Sequence, residues 1–434
     1  MDKIKRVIQE WQETTLPPIK KRSIISQNIP ENMAGVICGV RRAGKTYSIY
    51  ELALKLRRNI PADNIIYINF DDIRLHPLKG NELEKLPDHY IQNFTFNKNK
   101  MLWFLIDEIQ NVDHWDRAVR TMLDRRIGNI VITGSTSELQ PDKIPSVLRG
   151  RTFTKTVYPL SFKEFLLFNN EETDYSKSMY HSSRKNSIIK YMKEYLEFGG
   201  FPQVVLTEDL RLKNEILREL YKAIFYRDIL ELNDIRNISL FEAFLKTTVE
   251  SSSSMISISK IKRFLNSTLG FKCKKNTLSD YLMYTKNAFF LYDVEIFSYG
   301  IKDRLQYPRK IYTIDNGLIN AITLKHSPDY GKLLENAVFI ELKRRNKDIY
   351  YWKNKQGHEV DFVIVRGTNP SILYQVCWDM ENEKTKNREI RALMSAMKEL
   401  SLAKGTIITK DYMGEEKRED KIIEFLPFYI WSIM

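Results

Sequence analysis

At 434 residues, 43% hydrophobic and 28% charged, the chain exceeds one ordinary domain, and about three globular domains are expected. No apolar run approaches the ~18 residues that span a bilayer, the opening MDKIKRVIQEWQE has no signal-peptide core, and Cys38, Cys273 and Cys377 have no paired spacing. These features argue against a membrane protein, a disulfide framework and a zinc site, and a cytoplasmic protein is expected, while the formal net charge of +13 points to a polyanionic partner, most simply nucleic acid.

Residues 1–32 read as a strap: a helix from Ile4 to Trp11, then Leu16-Pro17-Pro18 and a basic turn, Lys20-Lys21-Arg22. A short apolar strand follows, Ala34 to Cys38, and then Gly39-Val40-Arg41-Arg42-Ala43-Gly44-Lys45-Thr46, which fits G-x-x-x-x-G-K-[ST]. Tyr47 opens a helix reaching about Arg58. Glycines at 39 and 44 let successive backbone N–H groups face one anion. Lys45 adds a point charge for β- and γ-phosphates, and Thr46 offers a hydroxyl to Mg²⁺. The helix start presents its positive dipole end. Residues 39–47 are therefore the expected nucleotide-binding set.

The next strand, Asn64 to Phe70, ends in Asp71-Asp72. A polar stretch runs to Lys100, where His76-Pro77 and Asp88-His89 are expected to break any long element. Leu102 to Ile106 is a further strand, running into Asp107-Glu108. An apolar strand closed by paired acids, about sixty residues after a phosphate loop, is the second half of an ATPase site: Asp107 holds the Mg²⁺ shell and Glu108 polarises the attacking water. A helix with Val119, Met122 and Leu123 on one face comes next. The strand Asn129 to Thr133 ends in Gly134-Ser135-Thr136-Ser137, where a hydroxyl between the acids and the γ-phosphate senses the nucleotide. Ser135 is the expected residue and Thr133 is nearly equivalent; the alternative role for this hydroxyl is a helix cap. Strands alternating with helices give a parallel α/β sheet covered on both faces.

GVRRAGKT, LIDEIQNVDHW, VITGSTSEL, LRGR and YPLSFKEF, in that order, resemble a family of predicted ATPases of the AAA+ superfamily. Its members carry a C-terminal domain of formerly unknown function. The resemblance continues through Tyr195-Leu196-Glu197-Phe198-Gly199-Gly200-Phe201-Pro202 and Tyr226-Arg227-Asp228-Ile229, nearly the whole chain. It implies ATP as the nucleotide. It also implies that Arg149 or Arg151 acts as an arginine finger on a neighbouring subunit, which requires a homo-oligomer.

Within this scheme 33–160 is the ATPase core. Residues 161–235 form a helical lid, with amphipathic runs Ile188 to Phe198 and Lys213 to Leu230, and with Arg227 expected either to reach the nucleotide or to form a salt bridge around Asp228. Residues 236–310 then carry 13 Lys and Arg against 6 Asp and Glu. Ser251 to Ser254 separates two helices there, Ile258 to Leu265 is a short helix, and another starts near Asn276 with Thr277 as its cap. Phe289 to Tyr292 and Arg309 to Tyr312 read as hairpin strands. Together, 236–311 is a winged-helix pattern, with the helix from Asn276 reading DNA and Lys274 and Lys275 at phosphates; its other use is packing between domains.

The last part, 312–434, resembles the restriction-endonuclease-like folds, in which a helix acid, a strand Asp and an (Asp/Glu)-x-Lys pair hold a metal. The matching residues are Glu335, Asp361, and Gln375 with Cys377. A cysteine cannot supply the lysine's charge and glutamine is a poor Mg²⁺ ligand, so a fold without hydrolysis is expected unless Lys353 or Lys355 enters the site. The sequence thus points to an ATP- and Mg²⁺-dependent ATPase coupled to DNA. A nucleotide-gated nuclease and a nucleotide-switched protein scaffold are the alternatives. Ile422 to Trp431 is expected to close the chain as a strand pair.

Overall fold

Each apolar run of the first third becomes a strand of one parallel sheet. The computed structural model describes residues 2–22, 24, 29–135, 137–140, 143–173, 182–323 and 327–434; Thr136, in the expected sensor strand end, lies outside them. The chain divides into two compact units, Met1–Tyr158 and Pro159–Met434.

The first unit holds α1 (Asp2–Glu13), β1 (Ala34–Gly39), α2 (Lys45–Leu56), β2 (Ile65–Asn69), α3 (Leu86–Asn93), β3 (Leu102–Asp107), α4 (Trp115–Arg125), β4 (Gly128–Gly134) and β5 (Thr152–Val157). The sheet order is β2-β3-β4-β1-β5, with every pair parallel. All six residues of β1 and of β3 are buried, as strands covered on both faces must be. Parallel pairing brings the C-terminal ends of β1, β3 and β4 to one edge, where open α/β sheets bind ligands. Ile4, Ile8 and Trp11 bury one face of α1, and the Trp11 indole donates to the Ile65 carbonyl of β2 at 3.0 Å. Asp88-His89 does not break its segment. Pro87 sits in the first turn of α3, where its missing N–H costs nothing, and the helix runs on through both residues.

The second unit opens with α5 (Phe162–Phe168), whose start is a capping box between Ser161 and Glu164. α6 (Ser182–Phe198) and α7 (Leu210–Ala223) follow. The single helix expected to Leu230 instead widens into a π-helical turn over Ile224–Leu230. Then come α8 (Ile238–Glu250), β6 (Ser254–Ile256), α9 (Ile258–Ser267), α10 (Lys275–Asn287), β7 (Leu291–Val294) and β8 (Arg309–Thr313). These three strands form an antiparallel sheet in the order β6-β8-β7. β6 was hidden in a serine run that reads as a separator. Thr277 does not cap α10: Lys274 takes the cap position, and Thr277 lies in the first turn.

The chain continues with α11 (Asn316–Ile322), α12 (Tyr330–Arg344), β9 (Asp348–Lys353), β10 (Glu359–Arg366), β11 (Asn369–Cys377), α13 (Glu383–Glu399), β12 (Lys404–Thr409), β13 (Gly414–Arg418) and β14 (Lys421–Pro427). The six strands order as β9-β10-β11-β12-β14-β13, mixed in direction. Ile390, Leu393 and Met397 of α13 pack against Val360, Leu373, Ile407 and Phe425 of the sheet. Only β14 of the expected closing strand pair extends past Ile422; Phe428–Trp431 is a helical turn, and β14 pairs with the hairpin strand β13 before it and with β12.

The Gly199-Gly200-Phe201-Pro202 segment gains a structural account here. Gly199 has φ +76°, and a Cβ at Gly199 would strike the Asp315 carboxylate. Asp315 accepts from Gly200 N at 2.7 Å and from Gly317 N at 2.9 Å, capping α11. Burial pushes the Asp315 carboxyl up to about 7, against the pull of those backbone N–H groups. With a folded pKa above the unfolded one, its contribution to stability is full below the ordinary carboxylate range and is lost as pH rises through about 7. The second unit should therefore melt at lower temperature at pH 8 than at pH 5, and Asp315→Asn should flatten that slope by about one proton. An unchanged slope in Asp315→Asn would contradict this.

Candidate active site

The phosphate loop joins β1 to α2 at the edge where the strands end. Gly39 and Gly44 have φ +144° and +103°, conformations that side chains disfavour. At Gly39 a Cβ would also collide with the Val157 carbonyl of β5. Lys45 is buried and reaches back over the loop, donating to the carbonyls of Gly39 at 3.2 Å and Val40 at 3.3 Å. Ala43 is buried, Arg41 half-buried, and Arg42 and Tyr47 exposed on the loop rim. Arg22 of the N-terminal segment donates to the Ala43 carbonyl at 2.7 Å and to the Tyr158 carbonyl at 2.9 Å, tying the loop to the chain before and after the sheet.

Asp107 ends β3 fully buried, one strand from the loop's own neighbour β4. Its Oδ2 accepts from the Thr46 hydroxyl at 2.7 Å and from the Tyr67 hydroxyl at 3.0 Å. Its Oδ1 accepts from the Thr133 hydroxyl, and Thr133 Oγ1 in turn accepts from Glu108 N at 3.3 Å. Thus Thr133, second in the sequence reading, bridges the two acids. Ser135 is buried two residues further on and takes no part in this set. Glu108 has φ +51° and its carboxylate accepts from the Gln110 amide at 2.5 Å. Arg151 is held by Asp124 of α4 at 2.6 Å, whereas Arg149 is exposed. Tyr67 was missed because a tyrosine in an apolar strand reads as core; its signal was a hydroxyl one strand away from a buried acid.

This arrangement fits a magnesium nucleotide. Thr46 and Asp107 supply hard oxygen donors side by side, beneath a loop whose backbone is free to face an anion. Among the described residues no three His, Cys, Asp or Glu side chains group to hold a metal.

The profile described as "AAA domain" matches residues 31–166. Domains of unknown function, DUF8612 and DUF4143, match 189–329 and 330–431. The uncharacterized protein MJ1544 of Methanocaldococcus jannaschii is 38% identical over 428 residues, 95% of this chain and 92% of its own. The chain belongs to the MJ1544 family and carries an AAA domain over residues 31–166. An uncharacterized protein of Haemophilus influenzae is similar as well, 30% identical over 80% of this chain and 82% of its own. Among solved structures, Cdc6p from Pyrobaculum aerophilum aligns over 74% of this chain and 91% of its own at 12% identity, with a TM-score of only 0.27.

In this member of the family, two acids of β10 and one of α12 surround a cation from another element. Lys310, on β8, is buried and places its ammonium 2.7 Å from Asp361, 3.0 Å from Glu359 and 3.1 Å from Glu335. Burial opposes that charge, but Asp361 and Glu335 outweigh it and hold the lysine well above its usual range. Burial and the Asp361 charge push the Glu335 carboxyl above its ordinary range, against the pull of Lys310. Asp361 also accepts from Val376 N at 2.9 Å, and its own N–H donates to Gln375, whose amide donates to Glu389 at 2.6 Å. Cys377 is a buried thiol pushed up to about 12. Neither candidate lysine of the sequence reading enters: Lys353 pairs with Glu359 at 3.3 Å on the rim, and Lys355 is exposed. Arg227 is exposed on the π-helical turn. Among the described residues no helix is long and apolar enough to cross a membrane.

Proposed function

We propose that this protein is an ATP-hydrolysing AAA+ ATPase whose turnover is coupled to DNA through a winged helix. The observation that carries the reading is the Thr46–Asp107 pair at 2.7 Å beside Glu108, at the mouth of a loop with two positive-φ glycines. Lys45, which donates to the loop carbonyls, would hold the β- and γ-phosphates, and the backbone N–H groups of residues 39–47 would supply further donors to them. Thr46 and Asp107 hold Mg²⁺, which neutralises charge on those phosphates when bound. Glu108 polarises the attacking water, and Thr133, rather than Ser135, relates the two acids. Arg149, being exposed, is the better of the two arginines for a finger on a neighbouring subunit. Purified protein should hydrolyse ATP only with Mg²⁺, and Lys45→Ala should abolish binding; magnesium-independent or absent hydrolysis would sink the reading.

In the same reading, 1–32 is the strap, 33–160 the ATPase core, 161–235 the lid, 236–311 the winged helix and 312–434 a nuclease-like domain without hydrolysis. The order helix, strand, two helices, strand, short helix (Ile301–Gln306) and strand from Ile238 to Thr313 supports the winged helix. Its exposed cations support DNA: Lys260 and Arg263 on α9, then Lys272, Lys274 and Lys275 at the start of α10. Lys310 among Glu335, Glu359 and Asp361 supports the loss of hydrolysis, because an ammonium fills the space between the carboxylates. Replacing Lys274 and Lys275 by alanine should weaken binding to duplex DNA of any sequence and reduce the slope of log affinity against log salt by about two. A slope unchanged by the double substitution would remove α10 from the DNA contact.

A further inference from the structure

Tyr67 belongs to no part of the phosphate-loop pattern, yet it shares an acceptor with that pattern's threonine. Its hydroxyl donates to Asp107 Oδ2 at 3.0 Å, the oxygen that the Thr46 hydroxyl meets at 2.7 Å. We propose that Tyr67 is a positioning residue that fixes the Asp107 carboxylate and so sets how much magnesium nucleotide binding requires. The inference rests on the ATPase reading above.

Asp107 is fully buried, so its orientation depends on the donors around it. Three hydroxyls serve: Thr46, Thr133 and Tyr67. Thr46 is itself assigned to the metal, which leaves Thr133 on one oxygen and Tyr67 on the other as donors independent of it. Tyr67 suits a fixed role. Its ring lies 4.7 Å from that of Trp11 and 5.3 Å from that of Tyr50, so it has little freedom to turn. Trp11 is anchored in turn to the Ile65 carbonyl at 3.0 Å, two residues before Tyr67 on β2. Helix α1 is thereby tied to the acid through one pair of rings. A tyrosine present only for packing has no need of its hydroxyl here, because phenylalanine fills the same space.

Tyr67→Phe separates the two roles. The measurement is the affinity of the full-length protein for a fluorescent ATP analogue, first in EDTA and then across a Mg²⁺ titration, with the melting temperature as a control. Loss of a hydrogen bond to a metal-ligating group typically costs 10- to 100-fold in metal affinity. Affinity in EDTA should be unchanged, and the Mg²⁺ concentration at half effect should rise by about tenfold or more. Equal Mg²⁺ midpoints in both proteins overturn the positioning role and leave the ATPase standing. Failure of the unaltered protein to bind the analogue at any Mg²⁺ concentration overturns the ATPase reading, and this inference with it.

Discussion

Glu108→Gln should lower ATP turnover by about 10²- to 10⁴-fold and leave nucleotide affinity nearly unchanged. The substitution keeps the size of the side chain and removes only its charge and basicity. Gln110 donates its amide to Glu108 at 2.5 Å, and a glutamine at 108 can still offer that amide an oxygen. The backbone at 108 sits at φ +51° whichever side chain it carries, so the strand end need not move. Asp107, with its three hydroxyl donors, is untouched. What is lost is the negative oxygen that polarises water, about 3 to 5 kcal/mol of the barrier. Phosphate release measured beside equilibrium nucleotide binding separates the effects. A loss of less than about tenfold would assign the catalytic acid elsewhere.

Lys310→Met should destabilise the second unit by about 3 to 5 kcal/mol, the usual cost of removing one partner from a buried charge cluster. Methionine fills the lysine's volume, so packing changes little and the effect reports charge. Glu335, Glu359 and Asp361 are left facing one another without the cation between them. Glu335, already raised by burial and by Asp361, loses the ammonium that opposed that rise and takes up a proton more readily. The stability that protonation restores is full at low pH and lost as pH rises, so the deficit should be larger at pH 8 than at pH 5. Hydrogen exchange of β10 and β11 amides reads this locally: exchange more than about 100-fold faster at pH 8 is expected. A change below about 1 kcal/mol at both pH values would mean that the lysine contributes no more than a surface ion pair.

The nucleotide end of the molecule was legible because its chemistry is local. Gly39 to Thr46 is contiguous, and its two glycines need the unusual φ that a tight loop demands. Asp107 and Glu108 announce themselves as acids ending an apolar strand, and parallel pairing brings that strand end to the loop. Thr133 and Ser135 could not be separated in sequence. Both are hydroxyls near the end of β4, and only the geometry of the strand end decides which of them faces Asp107.

What stayed hidden is what depends on distant pairing. Lys310 sits in a strand, RKIYT, that reads as one arm of a hairpin, and its partners Glu335 and Asp361 lie 25 and 51 residues on. Nothing in local pattern says that a lysine opening a strand beside Arg309 will enter the acids of other elements. β6 was lost because Ser254 ends a serine run, and propensity there is overridden by pairing with β8. α3 was lost for the opposite reason. Asp88-His89 reads as a breaker, whereas an acid in the first turn of a helix is favourable.

The most direct test of the central claim is ATP turnover by the full-length protein with and without double-stranded DNA at ~50 mM salt, where phosphate contacts are strongest. The account predicts that DNA stimulates turnover, that raising salt removes the stimulation, and that Glu108→Gln shows none. Hydrolysis that proceeds at the same rate with and without DNA would contradict the coupling and leave the second unit as a holder of protein partners.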